Sequence, residues 1–382
     1  MTPKKTKVLH IPSGVGGNPQ GLSKHLNRVG IESETWILKQ NYFGYGADKL
    51  VVRPTDNIVW REIKRLLALR YVFKSDVVFF NAGRTLFKPT PKLRRGDNDL
   101  VSWVLSSWYR RYTSLMQCVE LFLLRAQKKV LLVQYQGGDA RQGDYLQKHF
   151  SINIATQVEP GYYSAEGDTL KRDQIRLLTG KCFKTYALNP DLLHVLPRGS
   201  EFLPYSHISL EEWLPLYTQV ETRPLRIGHA PSHRDIKGTA LILDALDALR
   251  SSGYEFELVL VEGLSNAEAK ECYQTVDVFV DQLFAGWYGG LAVEAMALGK
   301  PVVVYIRDED LKFIPPEMAA ELTFIQATPE SIESVLREVL EMPRVKLLEY
   351  AKHSRAYVER WHNPITIAER IKLDIEQAVA VK

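Results

Sequence analysis

A glycine-rich loop that leads into a helix is the part of this sequence best suited to bind an anion. Residues 285–304 read Ala-Gly-Trp-Tyr-Gly-Gly-Leu-Ala-Val-Glu-Ala-Met-Ala-Leu-Gly-Lys-Pro-Val-Val-Val. The pattern predicts a loop, a helix over 291–298 and a buried strand over 301–306. The first N–H groups of a helix have no partner within it, and phosphate groups bind there. We therefore expect a diphosphate at the start of this helix.

The backbone of the loop and one acidic side chain are the candidate ligand contacts. The loop residues expected to bind the ligand that carries this diphosphate are Gly286, Gly289, Gly290 and Leu291. Glu294 lies about one turn inside the helix, where its carboxylate can accept hydrogen bonds from sugar or ribose hydroxyls. Alternatively, an acid at a helix start gains about 0.3–1 kcal/mol from the helix dipole without any ligand. The glycines favour ligand contact, because they cost conformational entropy unless a close approach is needed.

A second candidate loop follows a predicted strand over 225–229. It reads His-Ala-Pro-Ser-His-Arg-Asp-Ile-Lys-Gly-Thr and carries the cations Arg234 and Lys237. Such cations can neutralise a departing diphosphate, and removing a comparable donor typically costs about 10²–10³ in rate. Two solvated loop cations are the simpler interpretation, but the neighbouring glycine motif favours the phosphate role. His229 is the one histidine in a suspected cleft loop, and we expect it to bind the same diphosphate-bearing ligand.

These two segments resemble the C-terminal half of family 4 glycosyltransferases. The family pattern is Glu, seven residues, Glu, and then Ala-Met-Ala-x-Gly-x-Pro-Val. Glu294 matches the second Glu, whereas the first position is Gly286. Arg234 and Lys237 match the phosphate-facing cations of the family in kind, although the family's usual five-residue spacing would place Ser232 at the Arg position.

The resemblance implies a GT-B fold, with two Rossmann-like, doubly wound α/β domains that face an interdomain cleft. It also implies transfer of a sugar from a nucleotide-diphosphate sugar to an acceptor hydroxyl, with retention of configuration and without a metal or cofactor. Arg234, Lys237 and Glu294 would be the catalytic residues. The acceptor would be a carbohydrate or a lipid-linked molecule, in bacterial surface polysaccharide or glycolipid synthesis.

Two further loops are candidates for the acceptor side. Gly16 and Gly17 follow the first predicted strand, and in the resembling family this loop lies across the cleft from the donor phosphates. Asp139 follows a predicted strand over 130–136, where active-site residues of open α/β sheets collect. A plain strand-to-helix turn for the glycines and a turn or helix cap for Asp139 are the alternatives. Gln136 stands where related proteins often carry His, and Gln is no acid or base near pH 7.

Strands alternate with helices along the chain, which indicates parallel sheets with helices on both faces. We predict an N-terminal domain over 1–205 and a C-terminal domain over 224–360, because 382 residues exceed what one core usually supports. A final helix over about 361–382 would pack back on the first domain. In the second domain about a dozen residues separate the units read at 256–263 and 276–282, so the strand that family members usually have there is expected to be missing.

Charge is concentrated in one segment. Residues 61–129 hold 15 lysines and arginines against 5 acidic residues, whereas the whole chain carries only +4. Together with several aromatic residues, this predicts contact with an anionic membrane surface, and a solvated helix is the equal alternative. Nucleic acid is not expected, because no recognition motif accompanies the charge. The three cysteines are scattered and no apolar stretch is long enough to span a bilayer, so we expect a cytoplasmic protein, peripheral at most.

Three rival functions remain open. A nucleotide-sugar epimerase would need acid–base groups in the cleft, and Gln136 and Gly286 argue mildly against it. A catalytically degenerate partner of another transferase is supported by the missing Glu at 286. A metal-dependent GT-A transferase would use the triplet Asp308-Glu-Asp310, for which a surface loop is the favoured interpretation.

Overall fold

Two parallel β-sheets, each covered by helices on both faces, organise the chain. This computed structural model describes residues 5–40, 43–89, 100–217 and 223–381, leaving aside the side chains of 100–103 and 105. The last strand of the first sheet ends at Phe202, and the first strand of the second begins at Leu225. The predicted α/β class with two doubly wound parallel sheets is confirmed.

The first sheet has seven strands in the order β3-β2-β1-β4-β5-β6-β7, all parallel. They are β1 (Lys7–Ile11), β2 (Glu32–Ile37), β3 (Lys49–Leu50), β4 (Val77–Asn81), β5 (Val130–Tyr135), β6 (Lys184–Ala187) and β7 (Glu201–Phe202). From β1 the sheet grows first toward β3 and then, from β4 onward, in the opposite direction. The connecting helices therefore lie on both faces of the sheet. Fully buried strands such as β4, which is apolar except for its last residue, are the expected result of burial on both faces.

Alternate residues of these strands pack against different helices. Val8 and Phe79 belong to one buried cluster, whereas Leu9 and Phe80 belong to another on the opposite face. The helices of this half are α1 (Asn18–Arg28), α2 (Ile58–Val72), α3 (Leu100–Ala126), α4 (Gly143–His149) and α5 (Ala165–Thr179). Helix α1 covers one face, and α2, α3 and α5 cover the other.

The second sheet has five parallel strands in the order β12-β11-β10-β8-β9. They are β8 (Leu225–His229), β9 (Phe256–Leu260), β10 (Val278–Val280), β11 (Val302–Val304) and β12 (Ile325–Gln326). The helices are α6 (Arg234–Lys237), α7 (Thr239–Ser251), α8 (Asn266–Gln274), α9 (Gly290–Ala297), α10 (Pro316–Ala320), α11 (Ile332–Glu341), α12 (Arg344–Trp361) and α13 (Pro364–Ala380). Between β9 and β10 the structure describes every residue, and the chain forms only the helix α8 there. The additional strand of family members is thus absent from this stretch, as predicted, and β9 lies at the edge of the sheet.

The final helix crosses back to the first half. Asn363 caps α13 by accepting hydrogen bonds from the first backbone amides, and Pro364 occupies the first turn, where its missing N–H costs nothing. Helix α13 packs on α1 and places Ile371 in the core beneath the first sheet. The Asp374 carboxylate accepts hydrogen bonds from Lys184 at 2.6 Å and from the hydroxyl of Tyr186 at 2.7 Å.

The segment after α4 joins the two halves. Ile152 and Ile154 pack against Phe284 and Ala285 of the glycine loop. Further contacts in this region run from Arg307 to the carbonyl of Ile152 at 2.9 Å. The two halves therefore meet at the glycine loop and at Arg307.

Candidate functional site

Three groups meet where the glycine loop enters α9. Nζ of Lys237 lies 2.6 Å from Oδ1 of Asp281, and the N–H of Gly289 donates to Oδ2 of the same carboxylate at 2.6 Å. The Asp281 side chain is fully buried and that of Lys237 nearly so. Asp281 directly follows β10, and Lys237 ends α6. The start of α9 thus already binds an anion, contributed by the chain itself.

Two more N–H groups at this helix start are available. In the described parts of the chain, the amides of Gly290 and Leu291 have no hydrogen-bond acceptor. Gly290 is half-buried, and Leu291 is buried. A Cβ at Gly289 would lie 3.0 Å from Nζ of Lys237, so only glycine gives the ammonium this close approach to the backbone. Lys237 and the first amides of α9, which are expected to face a diphosphate, therefore lie together, with Asp281 among them.

The Glu294 carboxylate is turned into the contact between the two halves. Its Oε1 accepts a hydrogen bond from Nδ2 of Asn266 at 2.9 Å and lies 3.5 Å from the hydroxyl of Tyr45. Nε2 of His207, in the connector between the sheets, is 3.3 Å from the same oxygen. An amide, a phenol and an imidazole from three segments thus surround the oxygen that the sequence assigns to sugar hydroxyls.

The structure does not bring Arg234 to the Asp281 carboxylate. Arg234 is exposed and donates to Glu262 at 2.8 and 2.5 Å. This contact raises the pKa of the Arg234 guanidinium and lowers the pKa of the Glu262 carboxyl. A direct role of Arg234 at a diphosphate stays a prediction, because it needs the ion pair with Glu262 to open.

His229 uses both ring nitrogens inside the second half. Nδ1 lies 2.8 Å from the carbonyl oxygen of Val280, and Nε2 lies 2.9 Å from the hydroxyl of Thr239. Burial lowers the pKa of His229 to about 4, so the ring is neutral near pH 7. In this arrangement its ring joins the end of β8 to β10 and α7 and does not face outward.

Gly286 is enclosed by an arginine. Its φ is +75°, and a Cβ there would lie 2.6 Å from the guanidinium carbon of Arg307. A glutamate at this position, as in the resembling family, would require both a strained backbone and movement of Arg307. The missing Glu is therefore matched by a local packing that excludes it.

The triplet at 308–310 is divided between surface and interior. Asp308 is exposed, but Asp310 is fully buried, so a surface loop is the wrong interpretation for Asp310. Asp310 pairs with Arg307 at 3.0 Å and with Nε2 of His194 at 2.8 Å. Burial raises its pKa, and the contact with His194 offsets part of that rise. These bonds bind the loop of the second half to the first.

On the acceptor side, the three predicted residues have different surroundings. Gly16 and Gly17 have φ of +63° and +68°; a Cβ on Gly17 would meet the Tyr45 ring at 2.5 Å, whereas one on Gly16 would meet nothing within 4 Å. Asp139 accepts hydrogen bonds from the N–H groups of Gln136 and Gly137 at distances of 2.5 to 3.0 Å. Asp139 is thus a turn-forming residue that also lines a cleft.

That cleft has a volume of about 1070 Å³ and lies in the first half alone. Its lining comes from residues between 12 and 174, at the carboxyl ends of β1, β2, β4 and β5, with α2 and α5 as walls. The cationic residues in the lining are Lys39, Arg53, Arg61, Arg65, Arg84, Lys88 and Lys171, and the acidic ones are Glu62, Asp139, Glu166 and Asp168. Sequence reasoning missed it, although the cations of Arg-Thr-Leu-Phe-Lys directly after β4 were a usable signal.

The described residues contain no cluster of three or more His, Cys, Asp or Glu side chains placed to hold a metal ion. Metal independence of the expected reaction stays a prediction. A search of the described helices for one long and apolar enough to cross a bilayer found none.

Comparison with known proteins identifies the fold. No protein-family model matches the chain, and no curated protein matches it by sequence. Sucrose-phosphate synthase from Thermosynechococcus elongatus is similar in structure, with a TM-score of 0.61 and 13% identity over 99% of this chain and 100% of that one. The catalytic domain of starch synthase IV from Arabidopsis thaliana, bound to ADP and acarbose, has a TM-score of 0.59 and 12% identity over 98% and 100%.

HepE of Anabaena, in complex with UDP-glucose, has a TM-score of 0.56 and 12% identity over 98% of this chain and 100% of that chain. The similarity covers both sheets in each comparison. The chain therefore has the GT-B fold. At these identities the likeness shows the fold alone.

Proposed function

We propose that this protein is a glycosyltransferase that uses a nucleotide-diphosphate sugar, with its donor site at the start of α9. The observation that carries the proposal is the junction at the carboxyl edge of the second sheet, where Lys237 and the Gly289 amide together hold the Asp281 carboxylate. In open α/β sheets this edge is where ligands bind. The GT-B fold and neighbours crystallised with UDP-glucose or ADP support the same reading. We further propose that the protein belongs to family 4 and transfers the sugar with retention.

The diphosphate would bind beside the Asp281 carboxylate. Lys237 has three N–H donors, of which Asp281 receives one, so two remain for phosphate oxygens. The free amides of Gly290 and Leu291 supply further donors at the positive end of the helix dipole. Together these groups stabilise the charge that develops on the nucleoside diphosphate as the bond to the sugar breaks.

Glu294 would act on the hydroxyl groups of the donor. Its Oε1 already accepts hydrogen bonds from the side chains of Asn266 and Tyr45, and a ribose or sugar hydroxyl is chemically equivalent to the Tyr45 phenol as a donor. Donor binding would therefore exchange the Tyr45 contact for a ligand contact. That exchange requires the loop around Tyr45, which belongs to the first half, to move away from α9.

A second candidate is a nucleotide-sugar-binding partner without catalytic activity. It is favoured by Gly286, which the Arg307 side chain closes off, and by Asp281, which uses the Gly289 amide itself. Such a protein would bind the donor or nothing and would support another transferase. An epimerase is less well supported, because Gln136 lies at the cleft position expected for an acid or base and Asp139 is held by backbone amides.

The test is calorimetric binding of UDP, ADP and GDP to the wild type, to Lys237→Ala and to Arg337→Ala. Arg337 is a matched control, because it is a solvated cation of α11 in an exposed i,i+4 pair with Glu333. We expect one nucleotide to bind the wild type and the control, and to bind Lys237→Ala at least tenfold more weakly. Binding that is equal in all three proteins would reject the donor site.

Hydrolysis or transfer of the matching nucleotide sugar then separates the two candidates. A transferase shows turnover that Lys237→Ala reduces by about 10²–10³, the usual effect of removing one charge-stabilising donor. Binding without turnover, with any acceptor, would favour the non-catalytic partner.

We also propose that α2 and α3 contact an anionic membrane surface from the cytoplasmic side. Large apolar side chains on these helices are exposed to solvent: Ile58, Val59, Trp60, Leu66, Leu67 and Tyr71 on α2, and Val104, Trp108, Leu115 and Phe122 on α3. Exposed cations such as Arg61, Arg70 and Arg111 lie among them. Apolar residues mixed with cations fit the interface of an anionic leaflet, where each cation adds about 1 kcal/mol.

A further inference from the structure

Arg84 and Lys88 are two of the cations that line the first-half cleft. Arg84 is exposed and Lys88 half-buried, and both line the cleft. Among the residues that the structure describes, neither has an ion pair or a side-chain hydrogen bond. The same holds for Lys39 and Arg53 of the lining, whereas its three remaining cations do have such partners. Arg84 and Lys88 follow β4 by a few residues, at the sheet edge where ligands of open α/β sheets bind.

The backbone of residues 84–88, which carries these cations, is held by hydrogen bonds to side chains of α2 and α3. Glu120 of α3 accepts hydrogen bonds from the backbone amides of Leu86 and Phe87 at 3.1 and 3.2 Å. Arg65 donates to the carbonyl oxygen of Leu86. The backbone between Arg84 and Lys88 is therefore held at both its N–H and C=O groups. Such support keeps the two side chains at one wall of the cleft.

The surroundings of Lys88 are positive. The charges that act on it are those of Arg84, Lys171 and Asp139, and Asp139 is already bonded to two backbone amides. Burial, followed by the charge of Arg84, lowers the pKa of Lys88 to about 8. A partly buried ammonium without a counter-ion is costly, and an anionic ligand would remove that cost. An anionic ligand would therefore supply the free counter-ion that Lys88 lacks among the described residues.

We propose that the acceptor carries a phosphate group, which Arg84 and Lys88 bind in the first-half cleft. This inference rests on the proposed function, since it assigns the acceptor of that reaction. A guanidinium can bind two phosphate oxygens at once, and an ammonium adds a point charge that suits a dianion. The cleft volume of about 1070 Å³ leaves room for a sugar or glycerol unit next to the phosphate.

The phosphate can belong to a lipid headgroup or to a free sugar phosphate. The cleft wall formed by Arg61 and Arg65 belongs to α2, whose exposed Trp60 and Leu67 lie on the proposed membrane surface. A lipid headgroup could enter from that side, whereas a free phosphate would not depend on it. The two sources share the same contacts with Arg84 and Lys88 and are separated by experiment.

The experiment measures binding of three soluble probes by calorimetry. Dihexanoyl phosphatidic acid represents a lipid phosphate and glycerol 3-phosphate a free phosphate. Dihexanoyl phosphatidylcholine is the control, because its zwitterionic headgroup has no net charge and no phosphate monoester. The three probes are titrated into the wild type, into Arg84→Ala/Lys88→Ala, and into Lys148→Ala/Arg198→Ala, whose exposed cations lie outside the cleft lining and outside α2 and α3. Thermal unfolding verifies that all three proteins are folded.

We expect phosphatidic acid to bind the wild type and the outer control, and to bind the cleft variant at least tenfold more weakly. An affinity for glycerol 3-phosphate equal to that for phosphatidic acid supports a free phosphate as the ligand. A marked preference for phosphatidic acid supports a lipid. Absence of phosphate binding, equal binding by the cleft variant, or equal binding of phosphatidylcholine would each overturn the proposal.

Two additions keep this result separate from the donor site. UDP, ADP and GDP are titrated into the cleft variant, which should bind them like the wild type, so a failed donor site appears as absent nucleotide binding in both. In addition, phosphate binding should weaken above pH 8 as Lys88 loses its proton. Lys88→Arg should remove this dependence while it retains binding, because a guanidinium stays charged.

Discussion

Lys237 and Asp281 form a buried ion pair at 2.6 Å directly beside the first amides of α9. The same carboxylate accepts the Gly289 amide, so one acidic side chain fixes a cation and a helix end together. The pair explains how a charged lysine can be kept in a nearly dry position before any ligand arrives. It also means that a diphosphate must share these donors with Asp281.

The first prediction concerns the strength of this pair. Asp281→Ala should lower the free energy of unfolding by about 3–5 kcal/mol, because it leaves the Lys237 charge buried and unpaired. In a double-mutant cycle, Lys237→Met/Asp281→Ala should lose much less than the summed losses of Lys237→Met and Asp281→Ala. Urea unfolding measures the four proteins. Additive losses would show that the two side chains do not interact.

A second prediction concerns the Tyr45 loop. Gly16→Ala should cost about 1 kcal/mol for its positive φ, whereas Gly17→Ala should cost clearly more because its Cβ meets the Tyr45 ring. In a Tyr45→Ala background the two substitutions should cost the same. Urea unfolding of the five variants tests this. If Gly17→Ala costs no more than Gly16→Ala with Tyr45 present, the ring does not lie on this glycine.

The secondary structure around the glycine loop was predictable because its signals are local. Glycine, an apolar helical run, a second glycine and proline predicted a helix at 291–298, and the structure has it at Gly290–Ala297. The strand predicted at 225–229 is found as β8 with the same bounds. Short edge strands such as β7 and β12 were missed, since two residues carry no periodicity.

The side-chain partners at the site were not predictable, because they come from distant parts of the chain. Glu294 meets Tyr45, which is 249 residues away in sequence, and Lys237 meets Asp281, which is 44 away. The first-half cleft collects cations from several separate segments. Their charge was visible in the sequence, but its convergence on one cavity depends on the strand order.

A third prediction concerns acid stability. Burial lowers the pKa of His10 and His362 to about 3 and that of His229 to about 4, from 6.5. The unfolded chain therefore binds protons below pH 6.5 that the folded chain does not. The free energy of unfolding should be full above pH 6.5 and fall toward pH 4, by up to about 1.4 kcal/mol per pH unit for each histidine.

Two carboxyl groups with a raised pKa, Glu120 and Asp310, oppose this trend. Burial raises the pKa of Glu120 to about 7, so its contribution is present below pH 4.5 and is lost as the pH rises through 7. The net slope between pH 4.5 and 6.5 should remain positive with rising pH, because the three histidines outnumber the two carboxyl groups. His10→Leu should reduce it, because neither ring nitrogen of His10 has a hydrogen-bond partner in the described structure. Urea unfolding across this range measures the slope, and an unchanged slope would contradict the assignment.

A fourth prediction concerns the membrane surface. Trp60→Ser/Trp108→Ser should weaken binding to vesicles of phosphatidylcholine and phosphatidylserine by about tenfold for each tryptophan, from the loss of buried apolar area. Val345→Ser/Leu373→Ser is the control, because these exposed apolar residues lie on α12 and α13. Co-sedimentation measures the bound fraction at low and high salt. Equal binding of both double variants would reject α2 and α3 as the contact surface.

The return of α13 to the first sheet couples the order of synthesis to folding. Lys184 and Asp374 are 190 residues apart, and the whole second sheet is encoded between them. As the chain leaves the ribosome, Val8, Phe79 and Tyr186 must wait for Ile371 and Ile375 before that apolar face is closed. The nascent first half is therefore a natural client for chaperones until the second half has been made.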